Sequence, residues 1–375
     1  MHYIPYGRQN IDEEDIKAVV DVLRSDYVTT GPKISEFERR VADYCGAKYA
    51  VAVANGTAAL HAACIAGEIG RGDEVITTPV TFVASSNCVL YCGGKPVFAD
   101  IDSRTYNIDP DDIERKITDK TKAIIAVHLT GQPCNMDKIS AIAKAHNLLV
   151  IEDAAHALGA EYKGQKIGSI SDMTTFSFHP VKHITTGEGG MVLTNSEDLY
   201  KKLIKARSHG ITRDIDEMEK CDGAWYYQQQ ILGFNYRITD FQCALGISQM
   251  DKLDRFVAER KRIAGIYNEA FKDSSDITIP YQEEGCNNSY HLYVIRVKNR
   301  KKVFDKLREA GIGVNVHYIP VYTQPYYQAN GYADVHCPNA ENYYSEALSL
   351  PIYPGLTKEE QDYVINKVLE YTANI

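Results

Sequence analysis

The sequence predicts an α/β fold in which a mostly parallel central sheet is flanked by helices and followed by a smaller C-terminal α/β domain. Over Lys17–Asn195, short apolar strand patterns alternate with amphipathic helix patterns, as in a parallel sheet with helical crossovers. A long helical pattern follows over Asp240–Lys272, and after Pro280 the order changes to strand, helix, strand and terminal helix. We therefore expect a large domain over residues 1–250, which includes an N-terminal arm, and a small domain over residues 251–375.

The individual elements follow from apolar runs and their boundaries. The predicted strands of the large domain are Tyr49–Ala54, Glu74–Thr77, Pro96–Asp100, Ala123–His128, Leu149–Glu152 and Thr174–Phe178. The helices predicted between them include Thr57–Ile69 and Asp137–His146. Three glycines, Gly187, Gly189 and Gly190, predict a turn that leads into one more strand. The small domain should contain strands Leu292–Val297 and Val314–Tyr318, a helix over Lys302–Ala310 and a final helix from Thr357.

Composition and charge exclude several classes of protein. Hydrophobic residues make up 44% of the chain and charged residues 24%, with a net charge of -9, which is typical of a globular enzyme and unfavourable for nucleic-acid binding. No stretch approaches the ~20 apolar residues of a membrane helix, and the N-terminus lacks the apolar core of a signal peptide. We therefore expect a cytoplasmic protein without a membrane partner. The nine cysteines include no C-x-x-C pair, which predicts free thiols and no metal site.

Two residues with useful chemistry follow predicted strands at their carboxyl ends, where open parallel sheets bind ligands. Asp153 ends the apolar run of IEDAAHALGA and either binds a ligand or caps the next turn. Lys182, in SFHPVKHITTGEGG, lies between a strand and the glycine-rich turn, where many lysines are only solvated. His156 is either a ligand contact or a buried core histidine. Their joint placement favours a ligand site.

A turn and an aromatic residue extend this pattern. Asn55-Gly56-Thr57 joins a strand to a helix, and the free N–H groups of a helix N-terminus bind phosphate. Alternatively, Thr57 is an ordinary helix cap. Phe82 follows the strand in DEVITTPV and is either a core residue or a plate on which a ring stacks.

Together, NGTAAL, GDEVITTPVTFVAS, IEDAAHALGA, FSFHPVKHITTGEGG and GFNYRITDFQCALG resemble the DegT/DnrJ/EryC1/StrS family of sugar aminotransferases, over about Tyr6–Pro354. The resemblance implies the fold type I of pyridoxal-phosphate-dependent transferases, with pyridoxal 5′-phosphate as cofactor. Family members that dehydrate their substrate carry histidine at the lysine position, whereas this chain has Lys182.

The segments YVTTGPKISEFE, HPVKHITTGEGG and VHYIPVY are most similar to the branch of the family that acts in pseudaminic acid biosynthesis. That similarity implies transfer of an amino group from L-glutamate to C4 of a UDP-linked 4-keto-6-deoxy-N-acetylhexosamine. Branches that act on 4-keto arabinose, perosamine or bacillosamine precursors share most of these segments and remain alternatives.

The resemblance also implies the residue roles. Lys182 is the Schiff-base lysine and proton carrier, Asp153 keeps the pyridine nitrogen protonated and His156 contacts the ring. The remaining cofactor contacts are Gly56, Thr57, Phe82, Ser177, Asn235 and Arg237. The last two reach the phosphate in the neighbouring subunit, which implies a homodimer; alternatively, Arg237 pairs with Asp240. The implied substrate contacts are Tyr6, Asp26, Tyr27, Val28, Thr29, Gly56, Ser177, Asn235, Val316, His317, Tyr318 and Ile319.

Other functions are compatible with parts of the pattern. One alternative is a transaminase with the same cofactor that acts at C3 of a sugar or on an amino acid, and substrate panels discriminate these. A regulatory protein that binds the cofactor without turnover would carry a winged helix-turn-helix before it, and the stretch ahead of the first predicted helix is too short for one. A dinucleotide-binding protein would carry G-x-G-x-x-G, for which Asn55-Gly56-Thr57 is a poor substitute.

Overall fold

The computed structural model describes residues 3–373, so the predicted domain limits at residues 1 and 375 lie outside the described residues. The strands are β1 (Tyr49–Val53), β2 (Glu74–Thr77), β3 (Lys95–Phe98), β4 (Thr121–Val127), β5 (Leu149–Asp153), β6 (Glu161–Tyr162), β7 (Gln165–Lys166), β8 (Met173–Ser177), β9 (Gly190–Thr194), β10 (Ile211–Thr212), β11 (Gln228–Gln229), β12 (Ile277–Thr278), β13 (Cys286–Asn287), β14 (Tyr293–Val297) and β15 (Ala347–Leu350). The helices are α1 (Glu13–Leu23), α2 (Pro32–Cys45), α3 (Gly56–Ala66), α4 (Ala84–Tyr91), α5 (Pro110–Lys116), α6 (Met136–His146), α7 (Glu197–Arg207), α8 (Asp240–Met250), α9 (Leu253–Phe271), α10 (Arg300–Glu309), α11 (Pro325–Tyr327), α12 (Pro338–Glu346) and α13 (Lys358–Ala373).

The central sheet has seven strands in the order β1-β9-β8-β5-β4-β2-β3. The pairs β8/β5, β5/β4, β4/β2 and β2/β3 are parallel, and β9 is antiparallel to both of its neighbours. The predicted mostly parallel sheet is therefore confirmed. Its middle strands β4 and β5 are apolar runs that are almost fully buried, as expected for strands covered on both faces. Because β5 and β8 run in the same direction, Asp153 and Ser177 lie at the same edge.

Helices cover both faces of this sheet. On one face, α3, α4 and α7 bury small side chains such as Ala59, Ala63 and Ala206, which let the helices approach the strands closely. On the other face, α2, α6, α8 and the first half of α9 bury larger side chains, among them Phe37 and Phe256. The sheet is thus the middle layer of three.

A second core lies under the antiparallel sheet β12-β14-β15. Helix α9 contributes to both cores, because Phe256 packs in the first and Tyr267 in the second. The N-terminal arm also belongs to the second core, since Ile4 is buried there and pairs with Ile312. The predicted division into domains, with the arm in the large domain and a boundary at residue 250, stays a prediction.

Two predicted elements are wrong. The helical pattern Asp240–Lys272 forms two helices with a break before Leu253, where the Lys252 ammonium binds the carboxylates of Asp12 and Asp15 and holds the break against α1. The predicted strand Val314–Tyr318 contributes only an isolated bridge between Asn315 and Ser349. After Asn315 the chain leaves the sheet, and residues 316–318 line a cleft.

All nine cysteines have free thiols. Within residues 3–373, no helix combines the length and the apolar character that crossing a membrane requires.

Candidate active site

A cleft of about 940 Å³ lies between the carboxyl edge of the central sheet and the second core. The sheet side contributes Asp153, Ser177, Lys182 and the start of α3, and the opposite side contributes the segment 315–318. The volume is near the upper end of the ~300–1,000 Å³ typical of small-molecule sites. The cleft brings together most of the residues that the sequence predicts to be functional.

The start of α3 and the end of β8 form what we call the α3 cradle: Gly56, Thr57 and Ser177. Asn55 caps the helix, since its side chain accepts a hydrogen bond from the Ala58 N–H at 2.8 Å. The alternative interpretation of Thr57 as the cap is therefore wrong. As residues of the first turn, Gly56 and Thr57 have N–H groups without a partner inside the helix. These groups and the Ser177 hydroxyl can bind an anion.

The α3 cradle depends on glycine at position 56. A Cβ atom added to Gly56 would lie 2.9 Å from the Cβ of Ser177 and 3.1 Å from its Oγ, closer than carbon atoms pack without strain. Only a residue without a side chain lets the helix start approach Ser177 this closely. The close approach keeps the first N–H groups of α3 next to the Ser177 hydroxyl.

Asp153 is buried at the end of β5, and its carboxylate is held by two donors. The Ser85 hydroxyl donates to Oδ2 at 2.6 Å, and the Ala155 N–H donates to Oδ1 at 3.2 Å. Because the single proton of Ser85 is used on Asp153, the Thr81 hydroxyl, 2.7 Å away, donates to Ser85. Ser85 and Thr81 were missed by the sequence analysis, although both lie in the segment TFVAS that drew attention to Phe82.

Lys182 projects into the cleft, with its Nζ 3.5 Å from the Nε2 of His291. Burial lowers the pKa of the Lys182 amine to about 8, with the Asp153 carboxylate opposing this change and the Arg260 guanidinium adding to it. Relative to the ordinary value of 10.5, this pKa increases the neutral fraction at pH 7 from about 0.03% to about 9%. Lys182 is therefore suited to accept a proton near neutral pH.

Four buried histidines surround this amine: His156, His183, His291 and His317. Desolvation, helped by nearby positive charge, lowers the pKa of the first three well below the usual range and lowers the pKa of His317 to about 3. All four imidazoles are consequently neutral at physiological pH.

His156 combines the two interpretations considered from the sequence, because it is 5% exposed and still lines the cleft. Its Nε2 lies 3.2 Å from the Tyr318 hydroxyl. Within residues 3–373, neither the Nδ1 of His156 nor that of His291 has a hydrogen-bond partner. His183 instead binds the Ser289 carbonyl through its Nε2 at 3.1 Å. These two buried ring nitrogens thus lack the partner that buried polar atoms usually have.

The aromatic residues of the cleft lie on both of its sides. Phe82 is 59% exposed and lines the cleft, so the interpretation as a core residue is wrong and its ring is free for stacking. On the opposite side, Tyr6 packs against His317 with ring centroids 5.6 Å apart. Four of the predicted substrate contacts line the cleft: Tyr6, Val316, His317 and Tyr318.

The structure does not bring Asn235 and Arg237 into the cleft of their own chain. Asn235 is exposed and Arg237 half-buried, whereas Tyr236 between them lines the cleft. The alternative ion pair of Arg237 with Asp240 is not formed within residues 3–373, where the Asp240 carboxylate accepts the N–H groups of Gly31 at 2.7 Å and Lys33 at 2.9 Å.

The remaining predicted substrate contacts also lie outside the lining of this cleft. Asp26, Tyr27, Val28 and Thr29 are exposed, and Thr29 pairs with Thr239 close to GFNYR. Ile319 is 44% exposed. Their roles as substrate contacts stay predictions.

The family model of the DegT/DnrJ/EryC1/StrS aminotransferases matches residues 9–369. The chain belongs to this family. The GDP-perosamine synthase of Caulobacter vibrioides is 40% identical, over 96% of this chain and 96% of that protein. The UDP-4-amino-4,6-dideoxy-N-acetyl-beta-L-altrosamine transaminase of Campylobacter jejuni is 38% identical, over 96% of this chain and 95% of that protein.

Solved structures share the fold over the whole chain. PseC of Helicobacter pylori, an aminotransferase involved in the biosynthesis of pseudoaminic acid, superposes with a TM-score of 0.93 at 32% identity and covers 100% of both chains. Spr1654 of Streptococcus pneumoniae, solved in a PLP-form and a PMP-form, superposes with a TM-score of 0.93 at 34% and 35% identity and covers at least 99% of both chains. The chain is therefore a pyridoxal-phosphate-dependent sugar aminotransferase, and the predicted cofactor and enzyme class are confirmed.

Proposed function

We propose that the enzyme transfers an amino group from L-glutamate to C4 of a UDP-linked 4-keto-6-deoxy-N-acetylhexosamine, and so acts as a UDP-4-amino-4,6-dideoxy-N-acetyl-β-L-altrosamine transaminase. The observation that carries this proposal is the composition of one cleft. Its sheet side has Lys182, Asp153 and the α3 cradle, and its other side has Tyr6 and the polar segment 315–318. The Campylobacter transaminase and the Helicobacter aminotransferase are similar along nearly the whole chain, which supports the same substrate class.

The residues of the cleft fit pyridoxal phosphate. Gly56, Thr57 and Ser177 would bind its phosphate, Asp153 would accept the N–H of its ring nitrogen and Phe82 would stack on its ring. When bound, the cofactor supplies an aldehyde that condenses with amines and a ring that delocalises negative charge. Asp153 is suited to hold a proton at that nitrogen, because Ser85 and the Ala155 N–H fix the orientation of its carboxylate.

Lys182 carries the proton in both halves of the reaction. With the cofactor bound, its neutral amine would take a proton from the α-carbon of glutamate and pass it to the cofactor. The amino group and the electron pair of the C–H bond would stay with the cofactor, and a water would supply the keto oxygen of the departing 2-oxoglutarate. In the second half, Lys182 would return that proton to C4 of the sugar, where the amino group replaces the carbonyl oxygen, which leaves as water. The low pKa of Lys182, caused first by burial, makes the neutral form accessible, and the neutral imidazoles nearby add no positive charge to the site.

A homodimer with shared active sites is part of the proposal. The segment 213–232 around β11 exposes several large apolar side chains, Ile215, Trp225, Tyr227 and Leu232, at 62%, 74%, 51% and 80%. Clusters of exposed apolar side chains are typical of interaction surfaces. The outward-facing Asn235 and Arg237 follow directly in the chain. A second copy that covers this surface would receive both side chains near its own cleft.

A GDP-linked sugar of the perosamine type is the second candidate. It is favoured by the 40% identity to GDP-perosamine synthase, slightly above the 38% identity to the altrosamine transaminase. Both reactions aminate C4, so Lys182 and Asp153 would have the same roles.

Absorbance spectra of the purified enzyme with pyridoxal phosphate test both levels of the proposal. Wild type should show the band of cofactor bonded to an amine, lose it with L-glutamate and regain it with the keto-sugar. Lys182→Ala should show only free cofactor, whereas Lys201→Ala, which changes an exposed lysine on α7, should behave as wild type. Recovery with the UDP-sugar and not the GDP-sugar supports the first candidate, and the reverse supports the second. If Lys182→Ala has the wild-type spectrum, the assignment of the lysine is wrong.

A further inference from the structure

Arg260, in the middle of α9, is a fully buried cation bound only to backbone. Its side chain is 1% exposed, and it donates to the carbonyls of Ile352 at 3.0 Å, His291 at 3.1 Å, and Val181 and Tyr290 at 3.3 Å. No carboxylate within residues 3–373 forms an ion pair with it, and its Nε has no partner there. Burial of a charge without a counter-ion is unfavourable, so a role beyond stability is indicated.

The four carbonyls belong to segments that carry the site. Val181 directly precedes Lys182, and His291 lies 3.5 Å from the lysine amine. Ile352 donates its N–H to the Tyr6 carbonyl at 3.0 Å and so holds the N-terminal arm. One guanidinium thus connects the lysine loop, the histidine beside it and the segment that supports the arm.

The position of Arg260 on α9 explains how it reaches all of them. Four residues earlier Phe256 packs in the core of the central sheet, and three residues later Ile263 packs in the second core. Arg260 is therefore located where the two cores meet behind the cleft, and both cores fix its side chain.

We propose that Arg260 is a positioning residue for Lys182: it fixes the backbone that carries the lysine and His291, and it places an uncompensated positive charge beside the lysine amine. The inference rests on the proposed role of Lys182 as the lysine that bonds the cofactor. It goes further, because Arg260 is not among the residues that line the cleft.

The charged groups around Lys182 determine how readily its amine loses a proton. Asp153 favours the protonated amine and Arg260 favours the neutral amine. The neighbouring histidines, His156, His183, His291 and His317, are neutral because burial lowers the pKa of each. Burial lowers the pKa of Arg260 itself to about 10, so the guanidinium stays charged at neutral pH. The Arg260 guanidinium therefore lowers the pKa of Lys182, whereas the Asp153 carboxylate raises it.

The test compares Arg260→Met, Arg260→Lys and the control Arg262→Met, which removes an exposed arginine of the same helix. The holoenzyme is first converted with L-glutamate to the pyridoxamine form, in which the lysine amine is free. Reductive methylation of Lys182 is then followed by peptide mass spectrometry between pH 6 and 10, alongside kcat and KM.

We expect wild type and Arg262→Met to share the same methylation midpoint, and Arg260→Met to have a midpoint higher by about one pH unit. Arg260→Lys keeps the charge but not the planar fork, so its midpoint should stay near that of wild type while kcat falls about tenfold at unchanged KM. A loss of stability alone would not raise the midpoint in Arg260→Met while lowering only kcat in Arg260→Lys.

An unchanged midpoint in Arg260→Met, or a wild-type kcat in Arg260→Lys, overturns the proposal. If Arg260→Met does not fold, Arg260→Gln replaces it in the midpoint comparison and Arg260→Lys still decides the positioning role. Failure of the proposed function is distinguishable, since it would appear as a wild-type spectrum in Lys182→Ala.

Discussion

The substitution Gly56→Ala tests the α3 cradle directly. The added methyl group would lie 2.9 Å from the Ser177 Cβ and 3.1 Å from its Oγ. Carbon atoms pack at about 3.5–4.0 Å, so the start of α3 and the end of β8 have to separate by several tenths of an ångström. The N–H groups of Gly56 and Thr57 would move with the helix.

Two effects of opposite sign act on stability. Alanine is favoured over glycine inside a helix by about 1 kcal/mol, and less at the first turn, where Gly56 lies. Overpacking in a rigid site is unfavourable by about 1–3 kcal/mol. We therefore expect Gly56→Ala to destabilise the protein by about 1–2 kcal/mol. If one charge-assisted hydrogen bond to the phosphate is lost, about 1.5–3 kcal/mol, the Kd for pyridoxal phosphate rises about 10- to 100-fold.

The assay is cofactor titration by absorbance together with thermal unfolding. Gly70→Ala is the matched control, because no atom lies within 4 Å of a Cβ at that position. The double variant Gly56→Ala/Ser177→Gly removes the two closest atoms and should recover stability while cofactor binding stays weak, since the hydroxyl is gone. Wild-type Kd and wild-type unfolding temperature in Gly56→Ala would refute the crowding argument.

Three further predictions concern the proton carrier, the aspartate and the dimer. The rate of the glutamate half-reaction should rise about tenfold from pH 7 to pH 9. The reason is that, with a pKa of about 8, the neutral fraction of Lys182 increases from about 9% to about 91% over this range. A single-turnover rate that does not change with pH contradicts this prediction. Ser85→Ala removes the 2.6 Å donor to Asp153 and should lower kcat about tenfold or more, whereas Ser345→Ala, at an exposed position, should leave kcat unchanged. Trp225→Glu replaces a 74% exposed apolar side chain by a charged one. The variant should be monomeric in analytical ultracentrifugation at an unchanged unfolding temperature. If it still forms dimers of wild-type affinity, this surface is not part of the interface.

The sequence predicts the central sheet well because its signals are local. Each strand of that sheet is an apolar run bounded by turn residues, and the predicted limits differ from the observed ones by about two residues or less. The break between α8 and α9 has no such signal. At the break, Lys252 forms ion pairs with Asp12 and Asp15, which lie far away in the sequence. The predicted strand Val314–Tyr318 has a suitable pattern but only one bridging residue, Asn315.

The site shows the same division. Lys182, Asp153 and Gly56 are predictable because a parallel sheet places the carboxyl ends of its strands at one edge. His291 and Arg260 are not, since nothing in NNSYHLYV or in α9 marks them as functional. Their importance arises from contacts with Lys182 and Val181 across many positions of the chain. Local patterns thus identify the groups that carry the chemistry and miss those that adjust them.

This division suggests where catalysis and specificity are separated in the molecule. Asp153 is held at the end of β5. The loop that carries Lys182 is held by Arg260, which binds the Val181 carbonyl and does not line the cleft. The opposite side of the cleft comes from Tyr6 and the segment 315–318. Their backbones are joined to the small antiparallel sheet and the residues after it, through the Ile352 N–H that donates to the Tyr6 carbonyl and through the bridge between Asn315 and Ser349. Because α9 passes through both cores as one helix, that side can change its side chains while the distance between lysine and aspartate stays fixed. Substitutions at Val316 should therefore change KM for the sugar more than the pH dependence of the glutamate half-reaction, and the reverse should hold at Arg260.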